Sequence, residues 1–136
     1  MTTLRRVIAA TVATLSVPMA VAIPAKADTT VPPPYIDHVE WAKWGDLSSL
    51  RVYPTHAGPV ASTDFVSADE AWAEVLTLSP DAEIPGMRAQ FVCHWQLAEL
   101  AYPGKVSWNL EPWRPEVDDN EMVSAGCNPG GTEEPF

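Results

Sequence analysis

The chain has 136 residues, 46% of them hydrophobic, with 18 acidic side chains against 8 lysines and arginines and a net charge of −10. That length is one domain's worth. The negative charge argues against nucleic acid or anionic lipid as a partner, since both are themselves negative, and the basic residues are scattered rather than clustered.

Residues 1–27 read as an export signal. Arg5 and Arg6 form a positive start, Val7–Ile23 is an apolar stretch rich in Ala and Val, and Ala25-Lys26-Ala27 fits a small-x-small cleavage site. The stretch is shorter than the roughly 20 residues of a membrane span and carries Thr and Ser. Ala9-Ala10 after the arginine pair favours the general secretory route over the twin-arginine one. Cleavage after Ala27 removes Arg5, Arg6 and Lys26, so three positive charges leave and the net charge goes from −10 to −13. No cysteine stands at the new N-terminus to carry a lipid. A secreted, extracellular protein with no membrane anchor is expected.

Cys93 and Cys127, the two cysteines of an exported chain, are expected to pair. Closing a loop of that length is worth about 4 kcal/mol in the chain-entropy model. The competing reading, a reactive thiol, has no Cys-x-x-Cys behind it.

In chain order, residues 28–34 end in three prolines and read as a stiff extended spacer. The domain is expected to run from Tyr35 to Gly131. Ile36–Trp44 fits neither the helical nor the strand period cleanly, Gly45-Asp46 signals a turn, and Ser49–Tyr53 is a better strand; together they predict two antiparallel strands. Thr55–Thr63, broken by Gly58-Pro59, reads as a loop. Ser67 stands three residues before Glu70 in capping-box spacing, and Ala68, Ala71, Trp72, Val75 and Leu76 form one apolar stripe. This predicts a scaffold helix, Ala68–Leu78.

Pro85 is suited to open a second helix, Gly86–Ala101. At 100° per residue, Arg88, Gln96 and Glu99 share a wet sector, while Met87, Phe91 and Ala98 lie opposite. Gln90 and His94 stack one turn apart beside apolar neighbours, so both need hydrogen-bond partners if buried. Tyr102-Pro103-Gly104 stops the helix. Val106, Trp108 and Leu110 alternate with polar residues as in a half-buried strand. Trp113-Arg114-Pro115 is a corner suited to cation–aromatic stacking. Glu116–Glu121 reads as an acidic loop, and residues 132–136 as a disordered tail. The fold class expected is α+β: a single small domain with two main helices packed on a small antiparallel sheet and one disulfide.

Pro85-Gly86-Met87-Arg88-Ala89-Gln90-Phe91-Val92-Cys93-His94-Trp95, Trp108-Asn109-Leu110-Glu111-Pro112-Trp113-Arg114-Pro115 and Cys127-Asn128-Pro129-Gly130-Gly131 resemble an uncharacterised family of secreted actinobacterial proteins, domain of unknown function 2599. The resemblance spans about Tyr35 to Gly131. It implies an export signal, one small domain and paired cysteines, and it brings no activity, cofactor or catalytic residue.

The chemistry visible in the residues is sparse. There is no His-x-x-x-His or Cys-x-x-Cys, the acidic loop lacks the glycine and spacing of a calcium hand, and no Gly-x-Ser-x-Gly elbow occurs. No metal and no cofactor are expected. The first functional reading is a binding module for an extracellular protein or glycan, with Trp41, Trp44 and Trp113 as surface aromatics, unless they too are core, and Gln90 beside them. The alternative is a small metal-independent hydrolase of phosphodiester type, in which His94 and Glu111 supply acid and base and Arg88 or Arg114 faces the anionic transition state. Against that stands the plainer possibility that His94 is a satisfied core residue and Glu111–Arg114 a structural ion pair.

Overall fold

The computed structural model describes residues 21–22, 33–62 and 67–131. Most of the expected signal segment, most of the proline spacer and residues 132–136 lie outside the described residues. The elements run β1 (Ile36–Trp44), β2 (Leu47–Pro54), α1 (Ala57–Ala61), α2 (Ala68–Leu78), α3 (Met87–Ala101), β3 (Trp108–Leu110) and α4 (Asp119–Ser124), with a 3-10 turn at Pro80–Ala82. The architecture is α+β, as expected.

Both strand pairings are antiparallel, in the order β1-β2-β3. Gly45, at φ 56°, supplies the left-handed turn that lets β1 double back on β2. The register sets Trp41 opposite Leu50 and Val39 opposite Val52. On the other side, Leu50 faces Leu110 and Val52 faces Trp108. One sheet face is therefore apolar across three strands, and α2 and α3 cover it. Ala71 and Val75 of α2 and Met87, Phe91 and Trp95 of α3 are shut off from solvent against Leu50, Val52 and Leu110.

The centre of this core is aromatic. Phe91 lies 5.9 Å from both Trp95 and Trp108 and 5.3 Å from Trp72. Trp95 meets Trp108 edge-on at 6.0 Å and Tyr35 edge-on at 5.6 Å. Such offset and edge contacts suit the ring quadrupoles and add to the area they bury. A second, smaller core joins Cys93 and Cys127 to Met122, with Leu97 and Val117 at its border.

Four local expectations differ from the structure. Residues 57–61 of the expected loop form a single helical turn, α1. Its Gly58 sits so close to the start of β1 that a Cβ would stand 2.8 Å from the Tyr35 carbonyl oxygen and 2.9 Å from Pro54 Cβ. Gly58→Ala should therefore cost about 1–3 kcal/mol by overpacking, read from urea midpoints; an unchanged midpoint would contradict this. Second, Ser67 does not cap α2: its hydroxyl donates to the Ala61 carbonyl at 3.0 Å, tying α1 to α2. Third, Pro85 precedes α3 rather than opening it, because Gly86 is the N-cap in a left-handed conformation at φ 87°. Fourth, the acidic stretch contains the start of α4, whose N-cap is Asp118; its carboxylate accepts from the Glu121 amide at 2.9 Å.

The strand at 106–110 is also shorter than its alternation suggested. Only Trp108–Leu110 pairs, all three residues are buried, and Val106 is exposed. Scaffold helix α2 does more than pack. Glu74 accepts the amides of Tyr35 and Ile36 at 2.7 and 2.8 Å, satisfying two backbone donors at the strand's start.

Candidate functional site

The segment from Gln90 to Ala101 meets the chain beyond β3 in a buried polar joint. Gln90, 1% exposed, uses its side-chain amide as a peptide would: Nε2 donates to the Glu111 carbonyl and Oε1 accepts the Glu111 amide, both at 2.9 Å. The Glu111 side chain turns the other way. Its Oε2 accepts from Arg114 Nε at 2.5 Å, with both side chains wholly buried. Arg114 Nη1 reaches on to the carbonyls of Pro129 (3.1 Å) and Gly131 (2.6 Å), and its guanidinium lies 4.6 Å over the Trp113 ring. This joint and the Cys93–Cys127 disulfide, with Cα atoms 5.5 Å apart, hold residues 127–131 against α3.

His94 lies one turn beyond Gln90 and is 4% exposed. Burial, then the positive charges of Lys105 and Arg114, push its pKa from 6.5 down to about 4, and hydrogen bonding to the Asn109 backbone opposes them. The ring is therefore neutral at physiological pH. Nε2 of the ring is buried and without a hydrogen-bond partner.

Stability inherits a pH dependence from this group. Between pH 6.5 and about 4 the unfolded chain binds a proton that folded His94 refuses. Its contribution is complete above 6.5, falls as the pH drops and levels off below about 4, a loss of about 3 kcal/mol. An NMR titration of the His94 ring should keep it neutral to near pH 4; a midpoint above 6 would contradict the assignment.

On the outer side of His94 a groove of about 1160 Å³ opens between the last turns of α3 and the α4–disulfide turn. Leu97, Leu100, Tyr102 and Val123 give it apolar walls, and Lys105 and Asn128 are among its polar residues. Leu100 is 79% exposed, Tyr102 71% and Val123 56%, an unusual concentration of apolar surface. The Asn128 amide donates through Nδ2 to the Gly126 carbonyl at 3.1 Å, leaving Oδ1 buried and unpartnered.

The residues singled out in the sequence do not all meet here. His94 lines the groove, with Gln90, Glu111 and Arg114 in the joint. Arg88 lies elsewhere, exposed on α3 and paired with Asp69 of α2. Trp41 and Trp44 are half-buried on β1, the former donating from Nε1 to Ser79 Oγ at 3.1 Å; Trp113 is half-buried under Arg114. None of the three lines the groove. Sequence reasoning missed Leu100, Tyr102, Val123 and Asn128. The available signal was apolar residues next to a helix stop and within an acidic stretch. Among the described residues, no group of three or more His, Cys, Asp or Glu side chains is placed to hold a metal ion, and no helix is long and apolar enough to cross a membrane.

Comparison with known proteins places residues 36–130 on the family model described as protein of unknown function (DUF2599). An uncharacterized protein of Mycobacterium tuberculosis is 63% identical over 106 residues, covering 76% of this chain and 72% of that one. An uncharacterized protein of Mycobacterium leprae is 50% identical over 102 residues, covering 74% and 83%. No solved structure matches.

Proposed function

The chain belongs to this family of unknown function, and from its geometry we propose that it is an exported, disulfide-stapled binding module whose groove takes an apolar ligand. The observation that carries this is the groove itself: apolar walls, exposed Leu100, Tyr102 and Val123, and a few polar atoms at one place. That is the usual make-up of a small-molecule site. The disulfide supports an oxidising destination, in keeping with the export pattern of residues 1–27.

The test is uptake of Nile red, a neutral apolar fluorophore, by the mature protein. Saturable enhancement is expected, and Leu100→Glu or Val123→Glu, both on exposed positions, should weaken it about tenfold, or 1.4 kcal/mol. Wild-type protein that shows no saturable uptake while fully folded would sink the proposal. Export is checked by mass: protein recovered from the medium should begin at Asp28 with no free thiol.

The hydrolase alternative draws less support. Glu111 is sealed in its ion pair, Arg88 is occupied on another face, and a histidine with a pKa of about 4 is a weak base.

A further inference from the structure

The polar groups of the groove differ in whether a bound molecule reaches them. His94 Nε2 and Asn128 Oδ1 are closed off from solvent, so the head of a ligand lying in the groove meets neither. Tyr102, 71% exposed, and half-buried Lys105 are open. The Lys105 amide donates to the Tyr102 carbonyl at 3.2 Å, closing the turn that sets both on the lining. A phenol is able to donate a hydrogen bond, and an ammonium does nothing else. Among the described residues that line the groove, Lys105 is the one charged side chain at pH 7, and no Asp or Glu joins it. The chain as a whole has 18 acidic residues against 8 lysines and arginines, so this is a local reversal of its charge. The positive charge is felt at His94, on the same lining.

An apolar groove with one cation and no anion restricts the head group of a ligand. A cationic head meets Lys105 as a like charge. A hydroxyl leaves that charge uncompensated. A carboxylate accepts a charge-assisted hydrogen bond from the ammonium, stronger than a neutral one, beside apolar walls that strengthen it further. A phosphate monoester brings up to two negative charges to a single cation, in a chain whose net charge is −10. An ammonium has three donors, so a ligand shares Lys105 with any other acceptor. Acidic groups elsewhere on the surface are screened by salt beyond about 8 Å at physiological ionic strength. We infer that the ligand is a monoanionic amphiphile, its apolar chain along Leu97, Leu100 and Val123 and its carboxylate seated at Lys105 beside Tyr102. This rests on the groove being a ligand site, and the experiment distinguishes the two failures.

Octanoate, octan-1-ol and octyltrimethylammonium carry chains of nearly equal length and differ in the charge of the head. An ionised head is better hydrated than a hydroxyl, so apolar binding alone ranks the alcohol first. In displacement of Nile red from the mature protein at pH 7, octanoate should instead compete about fivefold better than octan-1-ol, with octyltrimethylammonium last. Lys105→Met should erase octanoate's advantage, and Lys105→Arg should keep it. Should Lys105→Met fail to fold, Lys105→Gln takes its place, and the wild-type ranking decides without either. Octan-1-ol level with or ahead of octanoate in wild-type protein overturns the head-group assignment and leaves the groove reading standing. Octyl phosphate ahead of octanoate also overturns it, as does an advantage for octanoate that survives the loss of the Lys105 charge. No displacement by any of them, with Nile red itself not taken up, removes both ideas. Self-association that Leu100→Glu abolishes, without probe uptake, would make a second copy of the chain the occupant and overturn the proposal.

Discussion

Arg114→Met should remove about 3–5 kcal/mol of stability, the usual cost of breaking a buried ion pair from one side. The cause lies less in the missing guanidinium than in what stays behind. Glu111, 0% exposed, would hold a carboxylate with no counter-charge and no route to water. The carbonyls of Pro129 and Gly131 would lose their shared donor as well. Against the roughly 5–15 kcal/mol typical of a whole domain, this substitution alone brings the protein close to unfolding. The double variant Glu111→Gln/Arg114→Met carries no buried charge and should be more stable than Arg114→Met, although it has one more side chain altered. Urea denaturation of wild type, both singles and the double closes the cycle. A double variant as unstable as the sum of the singles would contradict the account.

The second large effect concerns the disulfide. Cys93→Ala/Cys127→Ala opens a loop of sequence separation 34. The chain-entropy model puts the loss at about 4 kcal/mol. For a domain of this size each kcal/mol moves Tm by about 4–8 °C, so calorimetry should show a fall of about 15–30 °C. Cys127 adds a particular test, because it lies at φ 66°, the left-handed region. A non-glycine residue there costs roughly 1–2 kcal/mol. Cys93→Ala/Cys127→Gly should accordingly lose less than the Ala/Ala pair, a difference that removal of the sulfurs alone would not produce. Equal stability of the two pairs would rule out backbone strain as a contributor.

Much of the scaffold was legible because its signals are local. The stripe through Ala68, Ala71, Trp72 and Val75 gave α2 its true limits, and the Gly45-Asp46 turn placed the hairpin. Cysteine count and the export pattern led to the bridge that the structure contains. The misread places are those where a distant group outcompetes the local pattern. Ser67 has the capping spacing, yet its hydroxyl goes to Ala61. Val106 continues the alternation, yet pairing with β2 stops at Trp108 and Val106 stays exposed. Gln90 and His94 share one buried row, as their spacing suggests, but only the tertiary fold makes Gln90 fully satisfied by Glu111 and leaves His94 short of a partner. The groove was out of reach for the same reason: Leu100, Val123 and Asn128 become neighbours only after α4 and the C-terminal turn fold back on α3.

The way residues 127–131 are fastened has a consequence for how this end of the molecule can come loose. One latch is covalent and yields to thiols; the other, Arg114 on the carbonyls of Pro129 and Gly131, is indifferent to redox state and, with a guanidinium as its donor, to any ordinary acidity. Neither stress alone undoes both. A reductant would leave the segment seated, with the groove wall that it builds still standing. Freeing it takes two insults of different kind at once, so this edge of the protein has the fault tolerance of a door with two unlike locks.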